Sequence, residues 1–433
     1  MAGGIEATLR VLMESPSDSA DDLLIAALRS QQRDIQEGAL LAILGRRKSR
    51  GPSELVAHWT RLSPRWRTVL AKHSDGCVHA IREAILSTNP ARCQNGCEAA
   101  RALHCYEAIP TLLGGIEVLD RPDRALFLET FLALVESLYE DLAGPRDFHN
   151  RRDPQLVRQY TLAALEASLE RFAQHRTPEI AEAFLMLANR DHSGLRKLLQ
   201  SPGSAAHAAV IDRMTISPRP GVMRLVLSIL DDPQPPRAAL NIIVRRRDIQ
   251  FVRQLLRKLA GELEPATYNN LKRLGKTVWL ADDRECFGPF SEKEQAACVR
   301  FAVALHASRD ETVSLLRRML VKGKPGGRAA AALALANFKG ADINALVLER
   351  LEDPDPRVRA NLLPQLRSRG IPGAIDRLLE ELDNPNEIVK AACRASLSDF
   401  SFARYAASFD KLDPVAQVSD RSEEHTSELQ SRG

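Results

Sequence analysis

The stretch DPDPRVRANLLPQL, residues 353–366, returns as NPNEIVKAACRASL at residues 384–397. The offset between them is 31 residues, and it extends to a third, earlier copy of the pattern. Four sets of residues keep this spacing: Leu320, Leu351 and Leu382; Arg328, Arg359 and Lys390; Ala329, Ala360 and Ala391; and Leu335, Leu366 and Leu397. A fixed period of this length is typical of a solenoid, in which each unit buries its apolar side against its neighbours.

Each repeat reads as a pair of amphipathic helices. In the first helix, an apolar face forms at positions i, i+4, i+5 and i+8, which are Val358, Leu362, Leu363 and Leu366. We expect Asp353 to cap this helix, with Pro354 or Pro356 in its first turn, where no backbone N–H is needed. Pro364 should kink the helix, and a second, Leu-rich helix should follow the break after it.

The composition favours helices along the whole chain. Hydrophobic residues make up 44% of the 433 residues and aromatic residues only 5%, which suits close helix packing better than a β-sandwich. The predicted fold is all-α: an α-solenoid of stacked helical hairpins that is irregular in the middle. We divide it into degenerate repeats (1–120), an irregular helical region (121–290) and regular repeats (291–412).

The last residues differ in character from the rest. RSEEHTSELQS, residues 421–431, resembles a translated sequencing adapter. We therefore treat 421–433 as a non-native tail and expect the natural chain to continue beyond Asp420. An ordinary disordered polar tail is the alternative.

Charge and cysteine usage narrow the functional classes. The chain carries 60 basic and 56 acidic residues, a balance less lopsided than that of most nucleic-acid-binding domains. The N-terminus lacks the pattern of a signal peptide, and no apolar run reaches the ~18 residues of a membrane span. The seven cysteines do not follow the spacing of a disulfide framework and therefore fit reduced thiols. We predict a cytoplasmic protein with no membrane partner.

The two quoted stretches resemble HEAT repeats of the short, bacterial type named after phycobilisome lyases. The matching elements are the Asp-x-Asp-x-x-Val-Arg-x-x-Ala pattern, a Gly-containing turn and a Leu-rich helix, and they cover about 291–400. The resemblance implies an α-solenoid with a concave inner face. It does not imply lyase activity, since most proteins with these repeats are scaffolds or regulators.

One cluster has the residue types of a metal site. Cys93 and Cys97 would share a helical face, with His104 and Cys105 close by in sequence. The spacing is neither that of a zinc finger nor that of a zinc ribbon. Small thiols also pack well between helices, and we favour that role, with no metal and no cofactor.

Basic residues are the candidate contacts for a partner. The ladder Arg328, Arg359 and Lys390 could attract an acidic peptide, although pairing with Asp353 or Asp383 of a neighbouring repeat explains it better. Three other basic clusters have a less evident structural role and are further candidates. They are Arg46, Arg47, Lys48 and Arg50; Arg245, Arg246 and Arg247, with Arg253, Arg257 and Lys258; and Arg317, Arg318, Lys322 and Lys324. The partner-binding candidates are Arg245, Arg246, Arg247, Arg328, Arg359 and Lys390.

No catalytic motif is present. The sequence contains no phosphate-binding GxxxxGK[ST] loop, no GxSxG elbow and no HExxH. We therefore predict a non-enzymatic scaffold or regulatory module that binds a protein or peptide on its concave face, with no small-molecule substrate. The alternative is a nucleic-acid-binding protein; a DNA glycosylase and a chromophore lyase are further alternatives that rest on family analogy.

Overall fold

The computed structural model describes residues 2–46, 50–144, 153–274, 287–304 and 308–409. Helices make up the regular structure of these residues, and strands are absent from them. The chain forms two compact units, the first ending at Ile243 and the second beginning at Val244. The prediction of an all-α solenoid is confirmed by this architecture, whereas the three-part division of the sequence stays a prediction.

The helices follow one another with short turns. In chain order they are α1 (Ala2–Glu14), α2 (Ser19–Ala27), α3 (Arg33–Gly45), α4 (Arg50–Ala57), α5 (Pro64–Lys72), α6 (Val78–Ile85), α7 (Pro90–Ala102), α8 (Ile109–Ile116), α9 (Arg124–Ala143), α10 (Pro154–Glu170), α11 (Phe172–His175), α12 (Pro178–Leu187), α13 (Ser193–Gln200), α14 (Ala205–Ile216), α15 (Pro220–Ser228), α16 (Arg237–Arg245), α17 (Ile249–Ala260), α18 (Pro265–Arg273), α19 (Glu292–Ala304), α20 (Arg309–Lys322), α21 (Pro325–Ala334), α22 (Ala341–Glu349), α23 (Pro356–Ser368), α24 (Ala374–Glu380) and α25 (Glu387–Phe409).

Polar side chains fix where many helices begin. Ser63, Asn89 and Asp153 each accept a backbone N–H of the helix that follows, and each precedes a proline at the first helical position. The prediction that Asp353 caps α23 was wrong. Asp355 is the cap, accepting the Arg357 N–H at 2.8 Å, because Pro356 already occupies the first helical position. Helix α23 continues through Pro364 to Ser368.

In the second unit the helices form two layers. Helices α17, α19, α21, α23 and α25 pack against one another in that order, and α20, α22 and α24 cover one side of this row. Two such layers around a shared apolar interior are the unit of a helical solenoid. The opposite side of the row remains exposed.

The first unit is centred on α12. Every residue from Ile180 to Leu187 is buried, because α9, α10, α14 and α15 all pack against this helix. A helix that is covered on all sides in this way can lie only in a core. Within the described part of the chain, none of the helices has the length and apolar character needed to span a bilayer.

Helix contacts in the first unit are close enough to require glycine. A Cβ atom at Gly96 of α7 would lie 2.8 Å from the Ala84 Cβ and 2.9 Å from the backbone nitrogen of Ile85. Backbone atoms cannot rotate away, so a larger residue must push α6 and α7 apart.

We expect Gly96→Ala to lower the free energy of unfolding by about 1–3 kcal/mol, because overpacking outweighs the helix propensity of alanine. Gly114→Ala is the matched control, since Gly114 also lies in a helix but has no atom within 4 Å of its Cβ position. The control should be neutral or slightly stabilising. Equal effects of the two substitutions in denaturant titrations would contradict the close packing of α6 and α7.

Candidate protein-binding face

The exposed side of the row α19–α25 is the most continuous candidate surface, and we call it the repeat face. Its residues are exposed or half-buried and recur at helical spacing. They are Lys293, Ala296 and Arg300 of α19; Gly326, Ala330 and Leu333 of α21; Arg357, Asn361 and Pro364 of α23; and Ile388, Ala392 and Ala395 of α25. Leu333 and Ile388 expose 61% and 52% of their area. Most of the other positions are small, so the face offers shallow apolar surface rather than a deep cavity.

Polar contacts hold the N-terminal ends of α19, α21 and α23 in register. The Glu292 carboxylate accepts the Gly326 N–H at 3.1 Å and an Arg357 Nη2 bond at 3.3 Å. Arg357 also bonds Asp355 at 2.8 Å and holds the pKa of that carboxyl below its usual value. The charge of Arg357 is therefore neutralised within the fold.

Lys293 and Arg300 are the open cations of the repeat face. They lie two turns apart on α19, with Ala296 between them, and both are exposed. Neither forms an ion pair or hydrogen bond through its side chain with the described residues. The α19 carboxylates nearest them in sequence are paired, Glu292 as above and Glu294 with Arg257 at 2.7 Å. This part of the face consequently carries net positive charge.

The predicted basic ladder has three different environments. Arg328 makes two bonds of 2.9 Å to the Asp353 carboxylate of the next repeat, which confirms the expected pairing. Lys390 instead pairs with Glu387 of its own helix at 3.0 Å. Arg359 forms no ion pair with Asp383, and its buried Nε has no hydrogen-bond partner among the described residues. The ladder is thus structural at Arg328, whereas Arg359 is half-buried and forms no ion pair with the described residues.

Arg246 lies in the core rather than on a surface. Its side chain is fully buried, contacts Asp248 at 2.8 Å and stacks on the Phe251 ring at 4.6 Å. Burial lowers the pKa of Arg246 by desolvation, while the Asp248 carboxylate opposes that shift. Arg245 and Arg247, on either side, are exposed. Only these two of the three arginines can meet a partner without rearrangement.

The other predicted basic clusters are partly used inside the fold. Arg46 and Asp21 form a buried ion pair at 2.6 Å, and Arg50 pairs with Asp22 on the surface. Arg47 and Lys48 fall outside the described residues. In the second unit, Arg253 donates to the Pro289 carbonyl at 3.0 Å. Counting basic residues in the sequence therefore overstates the free positive charge.

The predicted thiol cluster is part of the core. Cys93 and Cys97 are fully buried, Cys105 nearly so, and the Cys93 thiol donates to the Ile85 carbonyl at 3.4 Å. Burial raises the pKa of Cys97 to about 12, which opposes the thiolate that zinc requires. His104 is about half exposed and lies 3.1 Å from the Tyr106 hydroxyl. No group of three or more potential metal-ligating residues converges in the described ranges.

Lys293 and Arg300 were not among the residues selected from the sequence. The i, i+7 spacing on the polar side of α19 could have indicated them. The residues predicted from the sequence were instead an adjacent run, Arg245 to Arg247, and a ladder at the 31-residue period, Arg328, Arg359 and Lys390.

We expect Asp353→Asn to lower the free energy of unfolding by about 3 kcal/mol. The substitution leaves the largely buried Arg328 guanidinium without its anionic partner. Glu349→Gln is the control, because the Glu349 side chain in its pair with Arg350 is 61% exposed and the pair should contribute less than ~1 kcal/mol. Chemical denaturation of both variants checks this. A cost for Asp353→Asn no larger than that of the control would show that the pair does not stabilise the repeats.

Comparison with known proteins supports the repeat assignment for part of the chain. Residues 312–398 match the family model of HEAT repeats. A comparison with curated proteins finds no match.

Three solved structures are similar over most of this chain at low identity. The first is an engineered protein with 13% identity and a TM-score of 0.29, and the match covers 93% of this chain and 96% of that chain. The second is Kap121p bound to Ste12p, with 17% identity and a TM-score of 0.27, and the match covers 93% of this chain and 42% of that chain. The third is from microtubule polymerases with TOG domain arrays, with 12% identity and a TM-score of 0.22, and the match covers 96% of this chain and 95% of that chain. The chain thus spans under half of the Kap121p chain. Because all three TM-scores are below 0.5, we draw no functional conclusion from them. Residues 312–398 are similar to HEAT repeats, and in the second unit α17, α19, α21, α23 and α25 pack against one another in chain order.

Proposed function

We propose that this protein is a non-enzymatic scaffold or regulatory module whose repeat face binds an acidic segment of a protein partner. The observation that carries the proposal is the pair of open cations, Lys293 and Arg300, beside small apolar residues on the same face. Charged residues without counter-ions attract a partner of opposite charge and accelerate its association.

The apolar part of the face supports a peptide or helix as the ligand. Leu333, Pro364 and Ala395 occupy the same position in successive repeats and form an exposed row across α21, α23 and α25. An amphipathic helix binds such a surface through residues at i, i+3 or i+4, and i+7. We infer a partner helix with an apolar side that covers this row and acidic residues that reach Lys293 and Arg300.

Arg245 and Arg247 are proposed as additional contacts, because both are exposed at the start of the second unit. The free, buried cysteines of the described residues suit a reducing compartment, and we propose a cytoplasmic location on that basis.

A peptide-display selection with the full chain tests the proposal, with duplex and single-stranded DNA as parallel probes. We expect selected peptides to combine Asp or Glu with apolar residues at helical spacing. The Lys293→Glu/Arg300→Glu variant should weaken their binding at least tenfold, and added salt should weaken binding to the native chain.

Arg317→Glu is the control, because Arg317 is exposed on α20 in the other layer. It should leave peptide binding unchanged. Selected peptides without acidic residues, or equal losses in the variant and the control, would contradict the proposal. Salt-sensitive binding of DNA in place of peptides would favour the nucleic-acid alternative.

A further inference from the structure

Two arginines of the first unit converge on the C-terminal end of α12. Arg158 of α10 donates its Nε–H to the Leu187 carbonyl at 2.7 Å. Arg224 of α15 donates Nη2 to the carbonyl oxygens of Met186 and Ala188, at 3.4 and 3.2 Å. The three acceptors belong to consecutive residues, so both guanidinium groups lie beside the same helix end.

The surrounding helices hold the Arg224 guanidinium in place. Gly221 lets α15 approach α12 closely, because a Cβ atom at this position would lie 2.9 Å from the Met186 carbonyl oxygen. Arg224 follows one turn later, and its guanidinium carbon lies 5.5 Å from the centroid of the Tyr139 ring of α9. A side chain that is positioned in this way loses less conformational entropy when it binds a ligand.

No carboxylate of the described residues forms an ion pair with either arginine. Glu136, one turn before Tyr139 on α9, pairs with Arg219 at 2.6 Å instead. Burial lowers the pKa of Arg158, and the nearby charge of Arg224 lowers it further. Both groups stay protonated at neutral pH, because arginine is a very strong base. Two like charges therefore lie close together at this helix end without a counter-ion from the described part of the chain.

The two arginines leave a net positive charge that solvent can reach. The C-terminus of α12 supplies a partial charge of about −0.5 against two positive charges, so about +1.5 remains. Arg224 is exposed and Arg158 is half-buried. Their contacts leave Nη2 of Arg158, and both Nε and Nη1 of Arg224, without a partner among the described residues. These N–H groups are available to an anionic ligand.

We propose that Arg158 and Arg224 bind a phosphate monoester, in the form of a phosphorylated serine or threonine of a protein partner. Such a group carries three free oxygens and a charge of about −1.5 to −2, which balances the charge at this helix end. A carboxylate has one charge and two oxygens, and a single guanidinium already binds both of them. Because Arg224 is exposed, a phosphate attached to a protein chain can reach it. The site belongs to the first unit, whereas the repeat face belongs to the second, so it goes beyond the proposed function.

Titrations of the arginine-labelled full chain, followed through the Nε–Hε NMR resonances of Arg158 and Arg224, test the ligand class. The probes are blocked alanine pentapeptides with phosphoserine, glutamate or serine at the centre, inorganic phosphate and oligothymidylate, all at one ionic strength. We expect the phosphoserine peptide to shift both resonances and to bind more tightly than every other probe. No shift would overturn the site, and equal binding of the glutamate peptide would overturn the phosphate class. Tighter binding of inorganic phosphate or oligothymidylate would overturn the assignment to a protein partner.

Arg224→Gln removes one of the two charges and should weaken binding of the phosphoserine peptide at least tenfold, as read from the Arg158 resonance. Arg158→Gln should do the same, as read from the Arg224 resonance. Arg190→Gln is the matched control, because Arg190 also donates to a carbonyl, that of Ser228 at 3.3 Å, but pairs with Asp231 at 3.7 Å. The control should leave binding unchanged. An equal loss in the control, or unchanged binding in both site variants, would overturn the proposal.

Discussion

Each helix of the second unit can bury its apolar side only against helices of its own and adjacent repeats, and the remaining features follow from that constraint. The row α17–α19–α21–α23–α25 is closed on one side by α20, α22 and α24 and is open on the other. Small residues at Gly326, Ala330 and Ala392 suit close approach of neighbouring helices and keep the open side shallow. A surface of this type suits an extended or helical ligand better than a small molecule enclosed in a pocket.

Charges within this framework serve two purposes. Arg328 and Asp353 tie consecutive repeats together with two short bonds, and most of their surface is removed from water. Lys293 and Arg300 remain open to solvent on the same unit. A formal charge of +4 for the whole chain gives no sign of this division, because paired and open cations count equally in it.

The fold was predictable because its main determinant is periodic. Val358, Leu362 and Leu366 are spaced as a buried helical face, and all three are buried. The partners of individual polar groups were harder to predict. Asp353 and Asp355 are equally good capping residues in the sequence, and only the position of Pro356 in the folded turn assigns the cap to Asp355. Arg246 and Arg247 are chemically identical neighbours in the turn between α16 and α17, yet the first is buried and the second is exposed.

Hydrogen exchange of the full chain, with and without a display-selected acidic peptide, tests the central claim most directly. Our account predicts that the peptide slows exchange of amides in α19, α21 and α23 and leaves those in α20, α22 and α24 unchanged. Slower exchange confined to α20, α22 and α24 would place the ligand on the opposite layer and contradict the assignment of the repeat face.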